Sequence, residues 1–177
     1  MTAKPITIRP ERSAEFAALY DFIKTAFSTA RVADGDEQEF TDRLRASGNY
    51  IPELALVAEI GGEIAGHILF TRFRVNAGDG SATELLLVAP LCVALEYRSQ
   101  GVGSALMREG LRRAAELGFK AALLVGDPAY YGRFGFRQST EWGIRNADGI
   151  PDRYVQAIEL TPEALQGTDA TATFAGM

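Results

Sequence analysis

The chain of 177 residues has a single cysteine and a single histidine. A lone Cys92 excludes an internal disulfide, and with only His67 beside it no zinc ligand set can be assembled, so no metal site is expected. Long hydrophobic runs are also missing. No stretch approaches the ~20 apolar residues of a membrane span, and residues 1–10 lack the basic-then-apolar layout of a secretory leader. Positive charge is scarce: 18 Lys and Arg stand against 23 Asp and Glu, a net charge of −5. That balance argues against a nucleic-acid partner and suits a cationic one. These absences imply a cytoplasmic protein with no membrane or nucleic-acid contact. At this length a single domain over residues 1–177 is expected, with its core at about 6–160 and a short tail at 161–177.

What is present alternates between strand and helix patterns. Ile6-Thr7-Ile8 reads as a first strand. Residues 13–27 carry Phe16, Leu19, Tyr20, Ile23 and Phe27 at helical spacing, with Ser13 placed as an N-cap. After the polar link 29–36, a second helical pattern runs over 37–46. Strand patterns at 55–60 and 64–75 flank Gly61-Gly62, a hairpin turn. A third strand at 83–94 contains Pro90, which predicts a bulge. A long helix is expected over 103–117, stopped by Gly118, followed by a strand at Ala121–Val125. Residues 137–142 and 154–160 read as final strands, and 161–177 has no strong pattern.

The most telling run is Arg98-Ser99-Gln100-Gly101-Val102-Gly103-Ser104, placed between the 83–94 strand and the long helix. A chain turning from strand to helix exposes several N–H groups at the positive end of the helix dipole, which suits phosphate. Gly101 and Gly103 let a pyrophosphate approach the backbone, and Arg98 is expected to add a donor at the rim. No lysine follows these glycines, which argues against a nucleoside triphosphatase, and Leu106 stands where a dinucleotide fingerprint needs a third glycine.

The run matches Arg/Gln-x-x-Gly-x-Gly/Ala, and in this it resembles the pyrophosphate motif of the GNAT superfamily of acyl-CoA-dependent N-acyltransferases. A second segment, Tyr130-Tyr131-Gly132-Arg133-Phe134-Gly135-Phe136, is similar to the short helix that follows the fifth strand in that family. The Gly, Pro and Asp between Val125 and Phe136, with 154–160 and Pro162-Glu163-Ala164-Leu165, look most like its YhbS-like bacterial branch. The resemblance implies an α/β fold: a mixed, mostly antiparallel twisted sheet of about seven strands, splayed between strands four and five, with helices on both faces. It implies acetyl-CoA as co-substrate, its pantetheine arm on the backbone of Leu91, Cys92 and Val93 and its pyrophosphate on Arg98, Ser99, Gln100, Gly101, Val102, Gly103 and Ser104. Tyr131 would be the general acid, and transfer would be direct attack by an amine in a ternary complex.

Two further expectations come from the residues themselves. Deprotonating a lysine-like amine at pH 7 costs roughly 4–5 kcal/mol, and Glu84 and Asp127, at strand ends, are the candidates for the base; His67 reads as a hydrogen-bonded core residue. Asp34, Asp36 and Glu37, in and just after the link between the first two helices, favour a cationic acceptor, either a small amine or a peptide N-terminus. A homodimer is left open. So are two other functions, a CoA-binding regulatory module without catalysis and a Rossmann-like nucleotide binder.

Overall fold

The computed structural model describes residues 5–177, and the chain divides into two compact units. The first holds the chain up to Phe70 together with Ala89–Arg113, and the second holds Thr71–Val88 with Ala114–Met177.

In the first unit β1 (Ile6–Pro10) pairs antiparallel with β2 (Tyr50–Ile60). β2 is followed by the start of β3 (Glu63–Ala77) and the end of β4 (Ala82–Val93). Helix α1 (Phe16–Ser28) buries Leu19 and Ile23 of its expected stripe together with Ala26, and α2 (Glu37–Ala46) buries Leu44 of its pattern together with Glu37, Gln38 and Thr41. Ser13 does not cap α1. A 3-10 turn, Ser13–Glu15, intervenes, and Glu15, gripped by Arg9, accepts the Arg12 N–H at 3.0 Å. Helix α3 (Val102–Glu116) lies against the other face of β3. A Cβ at Gly66 would meet Leu106 and Val102 at 2.9 Å, and one at Gly110 would enter the Phe70 ring. Two glycines therefore set how closely helix and strand approach. Residues 66 and 70 face α3, so alternation turns His67 to the α1 and α2 face.

In the second unit β4 pairs parallel with β5 (Ala121–Val125), which pairs antiparallel with β8 (Val155–Glu159), and β8 carries β6 (Arg137–Gln138). The expected strand over 137–142 stops after two residues because Ser139–Trp142 turns into a 3-10 helix, closed by Gly143 at φ +76° and by Ser139 Oγ donating to Ile144 O. Two short strands exceed the expected seven: β7 (Ile144–Asn146) and β9 (Ala170–Ala172), the latter within the tail where no pattern was read. β9 pairs with both β3 and β7. Three residues are too few to show a period, and neighbours decide their conformation.

Candidate active site

The end of β4 leaves backbone groups free. Its pairing with β5 is confined to Leu86↔Ala122 and Leu87↔Leu123, and the strand runs on through Pro90, after a cis Ala89–Pro90 bond, to Val93. Ala94 N–H donates to Ala65 O at 3.0 Å. In an antiparallel ladder alternate residues turn both polar groups to the same neighbour, so Cys92 addresses β3 while Leu91 and Val93 present theirs to the opposite edge. The Cys92 side chain packs on Ile23 and Ala26 of α1, and burial pushes its thiol up to about 12, a pKa that excludes a reactive thiolate.

The segment Arg98–Ser104 then enters α3 through two left-handed residues, Ser99 at φ +61° and Gly101 at φ +84°. Nothing lies within 4 Å of a Cβ built at Gly101, so backbone conformation rather than packing demands the glycine. Left-handed residues placed this way aim successive N–H groups into one concavity. The N–H of Ala105 is the first to find an acceptor, Gly101 O at 2.9 Å, which leaves those of Val102, Gly103 and Ser104 without an intrahelical partner.

The Arg98 guanidinium is not at this rim. It donates to Val93 O at 3.2 Å, Thr29 O at 2.8 Å, Ala26 O at 2.6 Å and Thr29 Oγ1 at 2.9 Å. The α1 C-terminus offers unpaired carbonyls and negative dipole, a stronger attraction for a cation than open solvent. The Gln100 side chain is likewise spent on Glu96 O.

In the second unit β5 leads into α4 (Pro128–Tyr131) and a 3-10 turn, Gly132–Phe134, ended by Gly135 at φ +98°. Asp127, a candidate base, is the N-cap of α4, its Oδ1 accepting from Ala129 N at 2.9 Å. Glu84, the other candidate base, is half-exposed beside Arg72, at 3.8 Å, near the start of β4. Tyr131 packs edge-on against Tyr130 and Phe136, and its hydroxyl has no hydrogen-bond partner among the described residues. Burial, with the neighbouring Tyr130 and Asp127, raises its phenol to about 12, so it stays a proton donor at neutral pH.

The sequence gives no sign of a buried cluster in the first unit. Glu11 accepts from Arg45 at 2.9 and 2.7 Å, from Tyr50 at 2.9 Å and from His67 Nε2 at 2.8 Å. His67 and Arg45 hold the Glu11 carboxyl down to about 2 against the cost of burial. Its ionised state makes Nε2 the protonated nitrogen of His67, and Nδ1 has no partner among the described residues. His67 is thus the core residue expected of it.

Comparison with known proteins agrees with these features. The family described as "Acetyltransferase (GNAT) domain" matches residues 7–139. The chain is 38% identical over 122 residues to Escherichia coli K12 "Uncharacterized N-acetyltransferase YjhQ", across 66% of this chain and 67% of that one. It is 34% identical over 106 residues to "Uncharacterized N-acetyltransferase YhbS" of the same organism, across 60% of this chain and 62% of that one, less than two thirds of YhbS. A crystal structure of Escherichia coli YhbS in complex with CoA superposes with a TM-score of 0.84 at 27% identity, covering 98% of this chain and 91% of that one. A GNAT acetyltransferase from Brucella melitensis in complex with acetyl-CoA gives 0.71 at 30% identity, covering 90% of each.

Proposed function

The chain belongs to the GNAT acetyltransferase family, and from that premise we propose that it transfers the acetyl group of acetyl-CoA to an amine by direct attack. One observation carries the reading: the open N–H groups after Gly101, in the same unit as a β4 end where the Leu91 backbone groups and the Val93 N–H are turned to the edge away from β3. The first is shaped for a pyrophosphate and the second for an extended pantetheine arm, which would add to β4 like a strand. The Val93 N–H is the donor for the carbonyl oxygen as it gains charge. Tyr131 gives its proton to the leaving thiolate. The acceptor is a cationic amine, drawn by the acidic segment at Asp34, Asp36 and Glu37.

Among the described residues no helix is long and apolar enough to cross a membrane, and the proposed enzyme works in the cytoplasm. A doubly wound nucleotide binder is excluded by the antiparallel ladders β1–β2, β5–β8 and β6–β8. The test is acetyl-CoA turnover over a panel of amines, followed by release of the CoA thiol. Release dependent on an amine supports the enzyme. Tight CoA binding without release for any amine would leave the regulatory module.

A further inference from the structure

His67 is a core residue with one ring nitrogen to spare. Its side chain is fully buried, and Nε2 lies 2.8 Å from Glu11 Oε2. Nδ1 is buried as well and has no partner among the described residues. With the proton on Nε2, Nδ1 is a lone-pair acceptor, and an orphaned acceptor in a core is costly unless a donor reaches it.

The β3–β4 ladder fixes what lies beside it. Ala94 N–H donates to Ala65 O at 3.0 Å, and a Cβ at Gly66 would stand 3.1 Å from Cys92 O. Two steps along this antiparallel pair His67 stands opposite Cys92, their Cβ atoms about 5 Å apart and their side chains on one face. The packing agrees, because Cys92 lies on Ile23 and Ala26 of α1, the face to which His67 turns. Glu11 sits across β3 from Cys92: its N–H donates to Ala55 O of β2 at 2.8 Å, and the strand order is β1-β2-β3-β4. The two nitrogens of an imidazole point to opposite sides of the ring. With Nε2 on Glu11, Nδ1 is turned towards β4, beside Cys92, whose neighbours offer the Leu91 backbone groups and the Val93 N–H to the open edge.

The groups behind His67 suit a proton. Glu11 also accepts from Arg45 at 2.9 and 2.7 Å and from Tyr50 at 2.9 Å, and Arg45 pairs with Asp42 at 2.8 Å. Two carboxylates thus share one guanidinium, and a proton on His67 balances their charge. A base oriented by a second group, itself held in place, is the arrangement that proton transfer requires.

We propose that His67 Nδ1 takes the proton of the acceptor ammonium through one bridging water, and that Glu11 is the positioning residue that fixes the ring and stabilises the imidazolium. His67 takes the role for which the sequence offered Glu84, which meets Arg72, and Asp127, which caps α4. This rests on the acetyltransferase reading. The ammonium gives one proton through the water to Nδ1, and the freed nitrogen pair forms the C–N bond as the thioester C–S bond breaks. The second N–H proton, lost as the amide forms, replaces the one that Tyr131 gives to the thiolate. The products are amide, thiol and the proton on His67, which returns through the water to solvent.

The test begins with the wild type. His67 is the one histidine of the chain, so nitrogen NMR of protein labelled at histidine reads its ring alone. Putrescine, a cation at pH 7, added to the CoA complex should move the Nδ1 signal while Nε2 stays protonated on Glu11. An unmoved Nδ1 in a protein that acetylates putrescine overturns the inference and leaves the transferase standing. A moved Nδ1 without turnover keeps the amine beside His67 and overturns the transferase, and neither shift nor turnover overturns both. His67→Gln then keeps an N–H donor for Glu11 but cannot take a proton. On putrescine it should lose about a hundredfold or more in kcat/KM. On aniline, which arrives neutral and needs no base before attack, the loss is about threefold. Equal losses on both amines would assign His67 a purely structural role, and an undiminished putrescine rate would remove it as proton acceptor. If His67→Gln does not fold, the NMR measurement on the wild type decides.

Discussion

The ring of Tyr131 lies directly over Gly126, so that a Cβ at residue 126 would fall inside it. Gly126 is fixed on both sides: its N–H donates to Tyr154 O at 2.8 Å, and its carbonyl accepts from Gln156 Nε2 at 2.9 Å. The backbone cannot retreat, so the ring would have to. Gly126→Ala is expected to destabilise by about 1–3 kcal/mol, as overpacking does, and to cut turnover through displacement of the phenol. CoA affinity should hold. Thermal melts, kcat and a CoA titration on the one variant measure all three.

Tyr131→Phe removes a hydroxyl and no packing. Turnover should fall by roughly a hundredfold, the cost of a positioned general acid. Because the phenol is raised to about 12, its ionisation produces no alkaline limb in the wild-type rate below pH 10. A pH–rate profile of both proteins checks this. Wild-type turnover in the variant would strike Tyr131 from the mechanism.

Glu11 links stability to acid. Its folded carboxyl, near 2, lies below the ordinary 4.5. The stabilisation is therefore complete above pH 4.5 and is lost as pH falls towards 2. It is worth about 3 kcal/mol by linkage. Glu11→Gln leaves the Arg45 guanidinium without its buried partner and should cost about 3–5 kcal/mol at pH 7. Urea unfolding at pH 7 and pH 3 would show the wild type approaching the variant as pH falls.

Arg98 ties the cradle loop to the end of α1. Arg98→Lys keeps the charge but cannot reproduce a planar fork reaching Val93, Ala26 and Thr29 together. It should destabilise by about 1–3 kcal/mol, nearly as much as Arg98→Ala. A full rescue by lysine in denaturant melts would mean that charge alone is required.

CoA at about a hundredfold over its dissociation constant should raise stability by roughly 2.7 kcal/mol. Gly101→Val places a branched side chain at φ +84°, a conformation costing about 1–3 kcal/mol, and should abolish the thermal shift. An unchanged CoA shift in a folded variant would move the cofactor elsewhere.

The sequence by itself determined the elements with strong periods or fixed turn chemistry. The helix over Glu37–Ala46 was legible from Phe40 and Leu44 at helical spacing, and the strand Ala121–Val125 from a short apolar run. The cradle and the aromatic segment were legible because glycine spacing dictates local backbone shape. Tertiary structure alone decided where charges and hydroxyls go. Arg98 turned from the cradle to the α1 carbonyls, Asp127 became a cap, and Glu84 met Arg72. Glu11, Arg45, Tyr50 and His67 met from four separate segments. The reason is physical. Backbone conformation follows from neighbours a few residues away, whereas a polar side chain settles on whichever partner the fold brings within hydrogen-bonding reach.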